Sequence, residues 1–198
     1  QFQPQTTVQK QHFIEWFSGK QLPSYWTKNN IQSTTFAMSD SVNGGFQITT
    51  GTAGGDKGSI SFNDINQFAY DNSVIIAVVK FNQTSGMTGA VGFSNDNTLG
   101  SSHSALYNES VESNFKLSTR GTNARTETDT SVARDTATRT VKIVNNGSST
   151  LMFFDGVLVS TVSSSIPNAA MQPVFYVASD PPNGTKSANI TYLECYNA

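Results

Sequence analysis

The stretch Leu151–Pro167, LMFFDGVLVSTVSSSIP, decides how the rest of the chain is read. An Asp-Gly pair stands between two apolar runs, and a Ser/Thr ramp then ends in Ile-Pro. Asp and Gly accept positive φ cheaply, so Asp155-Gly156 reads as a two-residue hairpin turn of type I′. Such a turn sets Phe154 opposite Val157 and Met152 opposite Val159 on one face, with Phe153 and Leu158 facing each other on the other. Apolar residues on both faces predict a hairpin lying deep inside a layered structure.

Outward from this hairpin the same grammar repeats. Thr35–Met38 and Phe46–Thr50 flank Asn43-Gly44-Gly45, a second hairpin signal. Val74–Phe81, VIIAVVKF, is a near-continuous β-branched run, which predicts a central strand covered on both faces. Ala90–Phe93, Ser104–Tyr107 and Phe115–Arg120 are shorter candidates, and Thr126–Thr130 alternates Thr with Glu and Asp as a solvated strand does. Thr140–Val144 leads through Asn145-Asn146-Gly147 into Thr150–Phe154. Met171–Ser179 and Ala188–Tyr196 follow, separated by the loop Asp180–Gly184. The one helical candidate is Val8–Phe17, where Phe13, Trp16 and Phe17 share a face for a turn or two. Short strands at close intervals with no βα alternation predict an all-β fold, a sandwich of antiparallel sheets or a barrel.

Composition narrows the class. A chain of 198 residues fits one domain with a substantial core. Charged residues make up 13%, against roughly 25% in an average soluble domain; Ser, Thr, Asn, Gln and Gly take their place. A net charge of −2 gives no basic footprint for nucleic acid. No stretch reaches the ~18–20 apolar residues of a membrane span. Cys195 is the only cysteine, so no internal disulfide forms. A neutral, polar surface suits an extracellular, cell-surface or virion-surface protein, and Asn82, Asn108, Asn146, Asn183 and Asn189 each open an Asn-x-Ser/Thr site compatible with export. The start at Gln1, with no hydrophobic leader, is read as processing of an exported chain.

Taken in order, Phe115–Arg120, Thr140–Val144, the Phe-Asp-Gly hairpin, Ile166-Pro167 and Met171–Val177 resemble the concanavalin A-like lectin/glucanase jelly roll. The C-terminal strand and Phe17-Ser18-Gly19 … Leu22-Pro23 … Trp26 extend the likeness over residues 13–198. The resemblance implies a jelly-roll β-sandwich of two antiparallel sheets, with at most one short helical turn near the N-terminus. Residues 1–12 then form an extended arm, including Gln1, Phe2, Gln3, Pro4 and Val8. The superfamily holds lectins, glycosidases, lyases, adhesion domains and viral surface proteins, so fold alone does not decide activity.

Glucan-hydrolysing members of this superfamily typically carry a Glu-x-Asp-x-Glu strand, whose carboxylates act as nucleophile and acid. The nearest counterpart is Thr126–Thr130, where Glu127 and Asp129 share a face but no third carboxylate follows. Glu109-Ser-Val-Glu112 is spaced for opposite faces of a strand and reads as a loop. His12 and His103 are the only histidines, too few for a zinc site beside a single cysteine; Ser101–Ser104 reads as a polar loop entering a strand. Gly51–Gly58 lacks phosphate-loop spacing and reads as a flexible connection. Asp96, Asn97 and Asp180 offer oxygen ligands for calcium in loops, while no other cofactor is indicated.

All four arginines, Arg120, Arg125, Arg134 and Arg139, fall within twenty residues of one another. One reading is a patch gripping a glycan, with Tyr107 as a stacking ring and Arg120, Arg125 and Glu127 as polar contacts. The other is pairing with Glu127, Asp129 and Asp135 across neighbouring strands. With no complete catalytic motif, the sequence predicts a non-catalytic glycan-binding module whose partner is a polysaccharide or glycoprotein glycan. The alternative is a self-assembling subunit of a filament, surface layer or virion whose arm reaches another copy. A carbohydrate-active enzyme stands third.

Overall fold

The computed structural model describes residues 11–39, 45–122 and 124–198. The arm residues Gln1, Phe2, Gln3, Pro4 and Val8 and the turn residues Asn43-Gly44 lie outside them. Among the described residues all regular structure is β. The strands are β1 (His12–Glu15), β2 (Thr27–Ile31), β3 (Thr35–Met38), β4 (Phe46–Thr49), β5 (Lys57–Ser61), β6 (Ser73–Phe81), β7 (Met87–Ser94) and β8 (His103–Asn108). They continue as β9 (Asn114–Arg120), β10 (Thr126–Ala133), β11 (Arg139–Asn145), β12 (Thr150–Phe154), β13 (Val157–Val162), β14 (Gln172–Ser179) and β15 (Ser187–Asn197).

Two antiparallel sheets face each other. The first runs β13-β12-β11-β6-β15-β4-β3, with β1 also paired to β15. The second runs β10-β9-β8-β7-β14-β5-β2. Alternate residues of the strands meet between them: Ile75, Ala77, Val79 and Phe81 of β6 and Met152 and Phe154 of β12 are buried against Phe93, Leu106, Phe115, Leu117 and Phe175 from the other side. Each such ring or branched chain contributes roughly 1.5–3 kcal/mol by leaving water. A bulge between Ile190 and Tyr192 shifts the phase of β15, so Ile190 and Leu193 both point inward despite their odd spacing.

The Asp-Gly hairpin forms as read, with φ of 49° at Asp155 and 84° at Gly156. Phe154 pairs with Val157 and Phe153 with Leu158, but a bulge inserts Val159 and brings Met152 opposite Ser160. Its position is not the expected one. β13 is the outermost strand of the first sheet, and Val157 and Leu158 are 65% and 49% exposed. Among the described residues the outer face of that sheet carries no further layer, so apolar residues there signal an edge, not a second core. For the same reason β6 is central but covered on one face only: Ile76 and Val78 are half-buried and Lys80 is exposed.

Two further expectations are corrected. The described part of the helical candidate is a strand, because Phe13, Glu15 and Phe17 turn inward with a period of two while Ile14 and Trp16 face out. Gly51–Gly58 is not simply a flexible connection: Lys57 and Gly58 open β5, paired with both β14 and β2. A Cβ at Gly58 would stand 2.5 Å from Thr34 Cγ2 and 2.9 Å from the Phe36 ring, so the glycine is there for close approach.

Candidate functional site

The outer face of the second sheet is built from the register of its strands. Ser118, Ala105, Gly92 and Val174 form one cross-strand row, and Lys116, Tyr107, Ala90 and Tyr176 form the next. The outward positions of the central strands β7 and β8 are thus Thr88, Ala90, Gly92, Ser94, His103, Ala105 and Tyr107, with no carboxylate among them. Over these rows folds the strap Asn95–Ser102. Its Leu99 is buried against Ala90, Ala105, Tyr107 and Val174. Its Asn97 accepts from Ser59 Oγ at the main-chain carbonyl (2.6 Å) and from Ser61 Oγ (2.5 Å) and Gln172 Nε2 (3.3 Å) at the side chain.

Beside the strap, β8, β9 and β10 gather a charged group. Arg125 Nε donates to Ser118 Oγ at 2.9 Å, and its guanidinium lies 4.1 Å above the Tyr107 ring. The same guanidinium pairs with Glu127 and stands 3.8 Å from Glu109 Oε1. Glu109 leaves the end of β8 and is brought back to Glu127 by the β8–β9–β10 meander. Burial raises the pKa of the Glu109 carboxyl; the Glu127 charge and a hydrogen bond between the two carboxyl groups raise it further, against the pull of Arg125.

Glu109 also lines a cleft of about 260 Å³ with Thr88, Ser110, Val111, Asp180 and Pro181. Asp180 is held there by Thr88 Oγ1, which donates to its Oδ2 at 2.6 Å, and by its own N–H, which donates to the Gly86 carbonyl. Arg134 ties the cleft together by donating to the carbonyls of Glu109 and Thr84. Tyr176 lies beside Asp180; burial and that carboxylate push its hydroxyl up to about 12.

His103, the outward residue at the start of β8, is fully buried. Nδ1 stands 2.7 Å from the Ser101 carbonyl, which can only accept, so Nδ1 carries the proton. Nε2 then accepts from Ser118 Oγ at 2.9 Å, and Ser118 in turn accepts from Arg125. Burial, aided by the charge of Arg125, brings the imidazole pKa down to about 4. Because the folded value lies below the unfolded one, stability is fully present above pH ~6.5 and is lost as pH falls toward 4. The difference amounts to roughly 3 kcal/mol across that window. Urea unfolding at pH 7 and at pH 4 is expected to show this loss, and H103N is expected to flatten it; an unchanged slope in H103N would assign the acid sensitivity elsewhere.

The sequence-predicted residues separate into groups. Tyr107, Arg125 and Glu127 do meet, but Tyr107 is 4% exposed and its face is covered by Arg125. Arg120 turns to the Gly100 carbonyl, and Arg139 pairs with Asp135 and Asp155. Asp129 faces Lys116 and Asn114. Asp96 and Asp180 flank opposite ends of β7. Asp96 Oδ1 accepts from the N–H groups of Thr98 (2.8 Å) and Gly100 (3.1 Å). Although burial raises the Asp96 pKa, these bonds and those from Ser101 and Ser94 outweigh it and leave the carboxyl below its usual range. Among the described residues, no three His, Cys, Asp or Glu side chains gather as a metal site. Sequence reasoning gave Glu109 only a loop role, because Glu127, which it meets, lies two strands away.

Solved structures place this architecture. The chain is similar to a β-1,3-glucanase from Mycobacterium marinum, with 13% identity and a TM-score of 0.67 over 92% of this chain and 97% of that one. It is also similar to the β-glucanase of Bacillus licheniformis (11% identity, TM-score 0.64, 94% and 98% covered). A third match is a Mycobacterium tuberculosis protein described as an immunostimulatory antigen and pseudo β-1,3-glucanase (14%, 0.65, 94% and 98%). The fold is therefore the concanavalin A-like lectin/glucanase jelly roll. No protein-family model and no curated protein sequence matches the chain.

These matches correct the expected function. The sequence predicts a non-catalytic protein, either a lectin-like module or a structural subunit of a filament or virion; the solved structures that share the fold are instead glucanases, an endo-β-galactosidase and a transglycosylase. The absence of Glu-x-Asp-x-Glu, which suggested that reading, does not exclude a carboxyl pair assembled from loops. No helix among the described residues is long and apolar enough to cross a membrane.

Proposed function

We propose that the protein is a carbohydrate-active enzyme that acts outside the cell on the glycosidic bonds of a β-linked polysaccharide. One observation carries this reading. Glu109, whose carboxyl is biased toward its protonated form, shares a cleft with Asp180, a second carboxyl fixed by Thr88. A proton donor and a second carboxyl group are the two parts that glycoside hydrolysis requires. Glu127 and Arg125 tune Glu109 and take no direct part. The similarity to glucanases supports the substrate class, and the neutral polar surface supports an exported protein.

In the reaction, Glu109 gives its proton to the glycosidic oxygen as the bond from that oxygen to the anomeric carbon breaks. Asp180 takes a proton from water, whose oxygen bonds to the anomeric carbon. Return of the proton from Asp180 to Glu109 through solvent completes the cycle, with one water consumed. Incubation with laminarin, lichenan and a β-galactan, followed by assay of reducing ends, tests the proposal. Release of reducing ends from at least one polymer is expected. Failure on all three, over pH 4–8, would sink it.

A further inference from the structure

Away from the Glu109 cleft, an open cavity of about 490 Å³ lies at the mouth between the sheets. Phe13 reaches it from β1 of the first sheet, and Tyr25 from the residues that lead into β2 of the second. Three rings form its wall: Phe13 meets Tyr25 and Phe62 edge-on, with centroids 5.4 and 4.9 Å apart. Tyr25 is 48% exposed despite sitting among other rings. The side-chain amides of Asn63 and Gln67 stand at the rim, both exposed and neither hydrogen-bonded among the described residues. Among the described residues no charged side chain lines the cavity.

What holds the wall is a buried carboxylate. Glu15 is 8% exposed and makes no ion pair among the described residues. It accepts the Tyr25 hydroxyl, the Phe17 N–H (2.9 Å) and the Trp26 indole N–H (3.4 Å). Burying a charge without a counter-ion is costly unless donors surround it. Here one donor is the wall residue Tyr25 and the others are Phe17 and Trp26, whose indole packs against Phe62 of the wall, so Tyr25 is fixed by its hydroxyl while its ring remains open to a ligand. Burial, then the Glu15 hydrogen bond and charge, raise the Tyr25 pKa, so the hydroxyl stays a donor.

From this geometry we infer a second ligand site, for a neutral oligosaccharide. The open ring presents a flat apolar surface to the C–H face of a sugar, and the unpartnered amides offer paired donors and acceptors to its hydroxyl groups. The uncharged lining disfavours anionic or cationic ligands, which would lose hydration without a partner. This site lies at the Ser61–Asn63 end of the second sheet, while the cleft of Glu109 and Asp180 lies where β7 begins and β14 ends. It stands independently of the proposed reaction.

The test uses full-length E109Q, which leaves a glucan probe uncut, titrated with laminarihexaose and with cellohexaose. Binding is followed by the fluorescence of Trp26, whose ring lies 4.8 Å from Phe62. Saturable binding is expected for at least one hexasaccharide. Q67A, at an exposed position, is expected to weaken it about 10-fold, and Y25A by more than that. Y25F separates ring from hydroxyl: with the ring retained but loosened from Glu15, affinity is expected between wild type and Y25A. Unchanged affinity in both Q67A and Y25A, or no binding of either probe, would overturn the inference. Binding by a protein that cleaves no polymer would sink the enzyme reading alone; cleavage without effect of Q67A or Y25A would sink this one alone.

Discussion

Glu109→Gln is expected to lower kcat/KM on the best polysaccharide substrate by about 10²–10⁴-fold, the range lost when a positioned general acid is removed. The amide keeps the shape and the proximity to Glu127 but has no proton of suitable acidity to give. The pH profile supplies a second readout. Because the folded pKa of Glu109 is raised, the acid form persists above the usual carboxylate range, and activity should fall on the alkaline side as pH rises through that value. E127Q removes the charge that raises Glu109 further and should move this limb to lower pH while leaving activity at acid pH. The sign for stability is the same: a raised carboxyl pKa favours folding below the unfolded value and loses that contribution as pH rises through the folded one. E109Q should therefore be at least as stable as the parent at neutral pH. A variant that lost activity and fold together would leave Glu109 with a structural role and remove the main support for the mechanism.

Gly92→Ala is expected to be the most damaging small substitution in the sheet. A Cβ there would stand 2.2 Å from the Ser104 carbonyl oxygen and 2.5 Å from Ala105 Cα, both main-chain atoms of the adjoining strand. No side chain can turn aside to make room, so β7 and β8 must separate at the centre of the second sheet, where Leu106 and Phe93 pack on the inner side. Overpacking of this kind typically costs about 1–3 kcal/mol and occasionally more; with backbone as the obstacle, the upper end is expected. For a chain of this size, roughly 3 kcal/mol corresponds to a fall in Tm of about 6–12 °C. Thermal unfolding of G92A by circular dichroism would measure it. A shift of less than about 2 °C would mean that the strands part more easily than their hydrogen bonding implies.

How far the molecule was legible in its sequence follows from which interactions are local. The Asp155-Gly156 turn, the existence of a strand at Val74–Phe81 and the order of the C-terminal strands depend on neighbours in the chain and form as expected, although β6 is covered on one face and not on both. Whether an apolar face is covered depends on the other layer. Val157 and Leu158 looked like core residues and lie at an open edge because no described element packs outside the first sheet. β5 was hidden for a different reason: Gly58 lowers strand propensity, yet the close approach of Thr34 and Phe36 requires it. The site was less legible still. Glu127 was visible as a polar strand residue, but Glu109 looked like part of a loop, and Asp180 like a turn residue suited to calcium. Their approach is created by the β8–β9–β10 meander and by the pairing of β7 with β14, neither of which leaves a local pattern.

The strap across the outer face sets a limit on what the cleft can accept. An uncovered sheet face of this width would let a polymer lie along it, with units bound on both sides of the bond to be cut. Here Leu99 and Asn97 occupy the middle of that face, and Arg125 covers Tyr107. On the reaction proposed above, a chain lying at Glu109 and Asp180 would meet the strap as a wall beside it on this face. Presentation of a chain terminus or an exposed bend is then expected over threading of a long strand. Short products released one at a time would be the chemical signature of that wall, whereas random internal scission would mean that the strap lifts.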